Sequence, residues 1–187
     1  IIIFSDFRHG IFSVESIKKL KNSINKNVFK VGDSQVASRW GNILDFSGFD
    51  LITPNEKEAR FALADQDSSI RPLASKLYDK SKCKTLIFKL GSKGILTLRR
   101  KMKKNDMRSF FVIDALEDHA TDPVGCGDAL ISYASLGLYL SKNSLIASIL
   151  GSISASIMSK IEGNLPITKK QVEKKLLELK DELKALS

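Results

Sequence analysis

The stretch ATDPVGCGDALISYASLGLYL, residues 120–140, joins a glycine-rich turn to a long apolar run. Gly125 and Gly127 flank Cys126, and Asp128 follows directly. The apolar run predicts a helix over residues 127–140. Because the first amides of a helix are unpaired and carry partial positive charge, the turn is suited to bind an anion. The glycines leave room for a phosphate to approach the backbone closely.

Asp128 has two interpretations at this position. A carboxylate beside an anion is unfavourable for simple anion storage, because like charges repel. It is useful if it removes a proton from a hydroxyl group that attacks phosphorus. Alternatively, the segment is a tight turn, and Asp128 is an ordinary first-turn acid that complements the helix dipole.

On either side of this junction, short β-rich runs alternate with helical runs, which is typical of strands joined by crossover helices in a mainly parallel sheet. Strands are predicted at residues 1–6, 28–33, 49–55 and 84–91. A hairpin is predicted from residues 94–100 and 109–116. Further helices are predicted at residues 14–24, 56–64, 70–81 and 144–161, and after residue 168.

Length and composition predict one soluble domain over residues 1–187. The chain is 43% hydrophobic and 27% charged, which is ordinary for a globular protein. Apart from a basic run at residues 99–108, the net charge of +9 is spread over predicted helices, and that run contains no aromatic residue. Solvated lysines therefore explain the charge better than nucleic-acid binding does. Two widely separated cysteines and the lack of a secretory leader predict a cytoplasmic protein.

The most apolar helix, residues 144–161, raises the question of a membrane span. It carries six serines and a glycine among its apolar residues. A buried helix in a soluble core fits this composition better than a membrane crossing does. We therefore expect neither a membrane nor a nucleic acid as a partner.

Three motifs together resemble those of the ribokinase-like, or PfkB-type, carbohydrate kinases. DPVGCGDA at residues 122–129 is similar to the D-T-x-G-A-G-D signature of that family, with Pro123 and Cys126 as departures. TPNEKEA at residues 53–59 is similar to its N-x-x-E motif, and KLGSKG at residues 89–94 to its glycine turn after a strand. The order and spacing also agree.

The resemblance implies a three-layer α/β/α, Rossmann-like fold with a mostly parallel sheet and helices on both faces. This ribokinase-like fold would be incomplete at its N-terminus, because the family has further strands and a lid before this point. The implied activity is ATP-dependent transfer of the γ-phosphoryl group to a hydroxyl of a sugar or sugar phosphate. The alternative is an inactive or half-site nucleotide-binding module that needs a missing N-terminal segment or a partner chain.

The resemblance also implies roles for individual residues. Asp128 would be the catalytic base, and Gly125, Cys126 and Gly127 would form the anion hole for the transferring group. The remaining residues implied to bind the nucleotide are Lys89, Gly91, Gly94 and Ser152. Those implied to organise Mg²⁺ near the phosphates are Asn55 and Glu58, and those implied to bind a monovalent cation such as K⁺ are Asp122 and Val124.

Substrate contacts are expected at the carboxyl ends of the first two predicted strands, where ligands bind in open α/β sheets. Asp6 and Asp33 occupy these positions. FSDFRHGIF at residues 4–12 and VGDSQVASRWGN at residues 31–42 look most similar to the heptose-phosphate kinase branch of the family. Exposed strand edges would favour pairing with a second copy, so a homodimer is expected.

Overall fold

The computed structural model describes residues 1–35, 42–99, 109–117, 124–163 and 165–185. The chain separates into two compact units. The sheet unit is formed by Ile1–Gly91 and Ile95–Val112, and the helical unit by Ser92–Gly94 and Ile113–Ser187.

Six strands in the described residues form a single sheet in the order β1 to β6. The strands are β1 (Ile2–Asp6), β2 (Lys30–Ser34), β3 (Leu51–Ile52), β4 (Thr85–Lys89), β5 (Ile95–Arg99) and β6 (Phe110–Ile113). The pairings from β1 to β4 are parallel, and β5 pairs with β4 in the antiparallel sense. The predicted α/β fold with a mainly parallel sheet is thus confirmed.

The sheet unit contains three helices, and capping interactions mark several of their ends. They are α1 (Val14–Ser23), α2 (Glu56–Leu63) and α3 (Ile70–Ser81). Ser13 forms a capping box with Ser16 at the start of α1, which satisfies amides that the helix leaves unpaired. Lys82, directly after α3, adopts a left-handed conformation, which is a common way to end a helix.

An aromatic cluster lies at the centre of the sheet-unit core. Phe4, Phe46 and Phe49 are almost fully buried, and their ring centroids are 5.2–6.0 Å apart. Phe46 comes from a short 3₁₀ helix, Ile43–Phe46, that packs beside β2. Burying a large apolar side chain contributes roughly 1.5–3 kcal/mol. These contacts therefore fix β1 and β2, whose ends carry candidate substrate residues.

The helical unit contains α4 (Cys126–Ser141), α5 (Ser144–Met158) and α6 (Lys169–Ala185). Helices α4 and α5 pack closely at Gly151, where an added Cβ would lie only 3.2 Å from the Ala134 Cβ. The Ser154 hydroxyl donates a hydrogen bond of 2.9 Å from α5 to the Ala129 carbonyl oxygen of α4. The start of α4 is therefore held against a rigid neighbouring helix.

The five serines of α5 are buried in the protein, as is Ser159 directly after the helix. Ser154, Ser156 and Ser159 donate hydrogen bonds to backbone carbonyl oxygens of the preceding turn, so these polar groups are satisfied internally. Of the helices in the described part of the chain, none combines the length and hydrophobicity that crossing a membrane requires.

Candidate functional site

Polar and charged side chains collect at the carboxyl-terminal edge of the parallel strands in the sheet unit. Asp6 ends β1, Asp33 and Ser34 end β2, Thr53 follows β3, and Lys89 ends β4. Parallel strands all present their carboxyl ends at the same edge. The register pairs Gly32 with Ile52, so Asp33 and Thr53 are neighbours across that edge.

Asp33 is the centre of the first group of contacts. Its Oδ1 lies 3.0 Å from the Lys89 Nζ and its Oδ2 lies 3.2 Å from the same atom. The Thr53 hydroxyl donates a further hydrogen bond of 2.9 Å to Oδ1. Both partners of the ion pair are largely shielded from solvent, with side-chain exposures of 18% for Lys89 and 10% for Asp33. Asp33 and Lys89, predicted for substrate and nucleotide respectively, are thus in direct contact.

Asn55 and Glu58 form a reciprocal capping box at the start of α2. The Asn55 amide N–H donates to Glu58 Oε2 at 2.8 Å, and the Asn55 Nδ2 donates to Glu58 Oε1 at 2.6 Å. The Glu58 amide N–H donates in return to Asn55 Oδ1 at 2.9 Å. The backbone of Asn55 also bridges to Lys89. The two predicted motifs therefore lie side by side.

Glu58 is buried, and its ionisation reflects that position. Burial raises the pKa of Glu58 to about 7, and the negative charge of Asp33 adds to the rise. The positive charges of Lys89 and Arg8 and the Asn55 amide hydrogen bond oppose it. The carboxyl group therefore titrates close to neutral pH.

Arg8 forms a second buried ion pair at the same edge. Its Nη1 lies 3.0 Å from Asp6 Oδ2, and its Nη2 donates to the Ser34 hydroxyl at 2.6 Å. The residue has φ = 61°, which is uncommon for a side chain other than glycine. The Arg8 amide also donates to Asp6 Oδ1 at 2.8 Å. This strained turn holds Asp6, a predicted substrate residue, against the guanidinium.

The predicted magnesium residues offer hard oxygen ligands, which suit Mg²⁺. Both Glu58 oxygens already accept hydrogen bonds from Asn55, and the Asn55 side-chain oxygen accepts one from Glu58. Among the described residues, no group of three or more metal-ligating side chains is assembled. Asn55 and Glu58 therefore fit a magnesium ion held through its water molecules, which Mg²⁺ retains readily.

The helical unit contains the glycine-bracketed turn. Gly125 precedes α4 with φ = 80° and ψ = −11°, a conformation that glycine adopts without the strain it imposes on other residues. Its carbonyl oxygen accepts a hydrogen bond of 2.9 Å from the Ala129 amide N–H. Cys126 therefore begins the helix, one residue earlier than predicted, and Asp128 lies in its first turn.

The residues of this turn are more exposed than the helix residue that follows them. Gly125, Cys126, Gly127 and Asp128 are all partly exposed, whereas the next residue, Ala129, is buried. The Asp128 carbonyl oxygen accepts a hydrogen bond of 2.7 Å from the Ser132 hydroxyl, which ties the first turn of α4 to the second. The turn and its acid are thus partly accessible, and burial begins at the next residues of α4, Ala129, Leu130 and Ile131.

Three predicted nucleotide residues take no part in the contacts described above. Gly91 and Gly94 both have positive φ, of 62° and 81°. A Cβ at Gly94 would overlap the Ile113 carbonyl oxygen and lie 2.6 Å from the Ala115 nitrogen, whereas a Cβ at Gly91 would meet nothing within 4 Å. Ser152 is buried on α5, and its Oγ makes no hydrogen bond to the described residues. The hydroxyl is also enclosed by the protein, with almost no exposed surface.

The predicted cation site is described only in part. Val124 is 61% exposed at the residue before Gly125. Asp122 and the neighbouring Pro123 lie outside the described residues.

The sequence analysis assigned no role to two side chains that take part in the contacts at this edge of the sheet. Thr53 orients Asp33, and Ser34 accepts from Arg8. The signal was the position of both residues at the ends of neighbouring parallel strands.

An α/β fold with a glycine-capped helix N-terminus and polar strand ends offers the kind of position where α/β proteins bind anionic ligands. Residues 12–163 match the pfkB family of carbohydrate kinases. The chain belongs to this family.

Several solved structures share the fold of this chain. Phosphofructokinase-2 from Escherichia coli, in complex with potassium, superposes with a TM-score of 0.71 at 18% identity, over 87% of this chain and 52% of that one. Ribokinase from Thermotoga maritima superposes with a TM-score of 0.68 at 24% identity, over 87% and 52% of the two chains.

Aminoimidazole riboside kinase from Salmonella enterica gives a TM-score of 0.63 at 17% identity, over 84% of this chain and 54% of that one. The chain thus spans about half the length of the solved structures it matches. No curated protein is significantly similar to it in sequence.

Proposed function

We propose that the protein is an ATP-dependent carbohydrate kinase, which transfers the γ-phosphoryl group to a hydroxyl of a sugar or sugar phosphate. The observation that carries this proposal is the turn before α4. Gly125 is held at φ = 80°, and Asp128 lies in the first helical turn only three residues later. Family membership over residues 12–163 supports the same conclusion.

In the proposed reaction, Asp128 is the general base. Its carboxylate accepts the proton of the acceptor hydroxyl as the hydroxyl oxygen forms its bond to the γ-phosphorus. The bond between that phosphorus and the β,γ-bridging oxygen breaks, and ADP leaves with the bridging oxygen. Partial exposure of Asp128 is compatible with this role, because a base must reach its substrate.

The backbone amides of Gly125, Cys126 and Gly127 stabilise the charge on the transferring group. A helix N-terminus places unpaired N–H groups and partial positive charge at this position. Phosphoryl transfer depends mainly on positioning and on electrostatic stabilisation of charge. Cys126 is small enough to leave the amides accessible.

The remaining proposed contacts hold the nucleotide and its ions. Lys89 binds the ATP phosphates, Gly91 and Gly94 line the nucleotide, and Ser152 lies near the base. Asn55 and Glu58 orient the waters of Mg²⁺, which neutralises phosphate charge when bound. The loop containing Asp122 and Val124 binds a monovalent cation such as K⁺, and one similar kinase was solved with potassium.

The acceptor that we propose is a heptose phosphate or a related sugar phosphate. This choice rests on the resemblance of residues 4–12 and 31–42 to that branch of the family. Asp6 lies at the edge of the sheet where such an acceptor would bind, and Asp33 ends the neighbouring strand. A homodimer is proposed as the working assembly.

A substrate panel tests the function. The protein is incubated with ATP and Mg²⁺ and with hexoses, pentoses, heptoses and their phosphates, and ADP release and phosphorylated product are measured. We expect product with at least one sugar or sugar phosphate. Binding of ATP by calorimetry without any product would instead favour the inactive nucleotide-binding module, and absence of both would contradict the proposed function.

A further inference from the structure

The carboxylate of Asp33 is held by two side chains of the protein itself, Thr53 and Lys89. Oδ1 accepts from the Thr53 hydroxyl at 2.9 Å and from Lys89 at 3.0 Å, and Oδ2 lies 3.2 Å from the Lys89 nitrogen. Thr53 is fully buried, and Asp33 is 7% exposed. Three of the roughly four acceptor positions of this carboxylate therefore already have partners, which leaves little capacity to bind a sugar hydroxyl.

Lys89 reaches Asp33 from two strands away. Strands β2 and β4 flank β3, so they are separated by about 10 Å. The Lys89 side chain therefore crosses the end of β3, where Thr53 lies. Its ammonium group carries three donors, and the two Asp33 oxygens account for two of them. The Lys89 nitrogen is thus held in place, and among the described residues its third donor has no hydrogen-bond partner.

A contribution to folding stability is a weak explanation for the shielded Asp33–Lys89 ion pair. Removing two charges from water costs free energy that their attraction often fails to offset. A second Lys–Asp pair lies at the opposite, amino-terminal end of the neighbouring strands: the Lys84 nitrogen is 2.6 Å from Asp50 Oδ1, but the Lys84 side chain is 71% exposed. The fold therefore has a solvated pair at one end of the sheet and a desolvated pair at the candidate site.

We propose that Asp33, itself oriented by Thr53, is a positioning residue that holds the Lys89 ammonium group toward the phosphates of the nucleotide. This inference rests on the proposed kinase function. It assigns Asp33 to the nucleotide side of the reaction, in place of direct contact with the sugar. It also assigns Thr53 a role that no motif indicates.

Matched variants at Thr53 separate positioning from packing. Thr53→Val keeps the β-branched shape and removes the hydroxyl donor, whereas Thr53→Ser keeps the donor. We expect Thr53→Val to raise the KM for ATP about threefold or more, and Thr53→Ser to remain near the wild-type value, since the loss is that of one charge-assisted hydrogen bond. The KM for the sugar should change little in either variant.

Asp33→Asn removes the charge that holds Lys89, and Asp50→Asn is its control at the other end of the sheet. We expect Asp33→Asn to raise the KM for ATP about tenfold or more, with a smaller effect on the KM for the sugar. Asp50→Asn should lower thermal stability at most and leave both KM values unchanged. Thermal melting of each variant verifies that it is folded.

Two different failures are distinguishable. An active wild-type protein whose Thr53→Val and Asp33→Asn variants keep the KM for ATP within twofold would overturn the positioning role alone. The same holds if Asp33→Asn mainly raises the KM for the sugar, or lowers the KM for ATP. A wild-type protein that neither binds nor uses ATP would overturn the proposed function and this inference with it.

Discussion

Individual residues carry more than one constraint, and Gly94 is the clearest case. The family resemblance assigns it to the nucleotide, yet the structure gives it a local reason to be glycine. It has φ = 81°, and a Cβ there would overlap the Ile113 carbonyl oxygen. Gly91 has φ = 62° but open space around its missing Cβ. Backbone conformation is therefore shared by the two glycines, and crowding is specific to Gly94.

This contrast gives a prediction about stability. Gly94→Ala should lower the free energy of unfolding by about 3 kcal/mol, because left-handed backbone strain and overpacking add. Gly91→Ala should lower it by about 1 kcal/mol, from backbone strain alone. Urea denaturation measures both. Equal losses in the two variants would show that contact with Ile113 does not distinguish these sites.

At the same scale, the sequence predicts which residues are polar and where strands end, but not which side chains meet. Asp33 and Lys89 are 56 positions apart in the sequence. They can meet because a single strand, β3, separates β2 from β4 in the sheet. Such a contact follows from strand order and register, and a single sequence contains no direct signal for either. The contiguous turn from Gly125 to Asp128 is local, so its glycine-capped helix start was predictable.

At the scale of elements, the helices were predicted closely and the strands less so. Helix α3 has the predicted bounds, since its apolar spacing and Pro72 in the first turn are local signals. Strand β3 was predicted over residues 49–55 and forms only Leu51–Ile52. Asp50 and Thr53 still donate to β2 backbone carbonyl oxygens, but Pro54 has no N–H to extend the pairing.

The start of α2 gives a prediction about pH. The pKa of Glu58 is about 7 in the folded protein, whereas the unfolded chain titrates near the ordinary value of about 4.3. Between these values the folded state holds more protons than the unfolded chain. Stability is therefore lost as pH rises through this window. This effect is expected to reach about 3 kcal/mol at most between pH 5 and pH 8.

Glu58→Gln isolates that contribution. The amide keeps the shape of the side chain and an oxygen for the Asn55 N–H, but it cannot ionise. In metal-free buffer, the free energy of unfolding should fall less between pH 5 and pH 8 in the variant than in the wild type. Urea titrations at the two pH values measure the difference. Identical pH dependence in the two proteins would contradict a raised pKa for the buried Glu58 carboxyl group.

At the scale of the whole molecule, the sequence predicted an α/β fold and its family, and both are confirmed. The family assignment came from three short motifs in the right order, which are local in sequence. The single domain over residues 1–187 stays a prediction beside the two compact units. The identity of the sugar depends on side chains from several distant segments, so residue patterns indicate a branch of the family and no more.

The most direct measurement of the central claim is the turnover of Asp128→Asn compared with wild type. Asp181→Asn, on the exposed face of α6, is the control. With ATP, Mg²⁺ and the sugar identified by the panel, kcat should fall by about 10²-fold or more in Asp128→Asn, because general-base catalysis is lost. Its calorimetric affinity for ATP should stay close to that of wild type, and Asp181→Asn should behave as wild type. Wild-type turnover in Asp128→Asn would contradict the assignment of this carboxylate as the base.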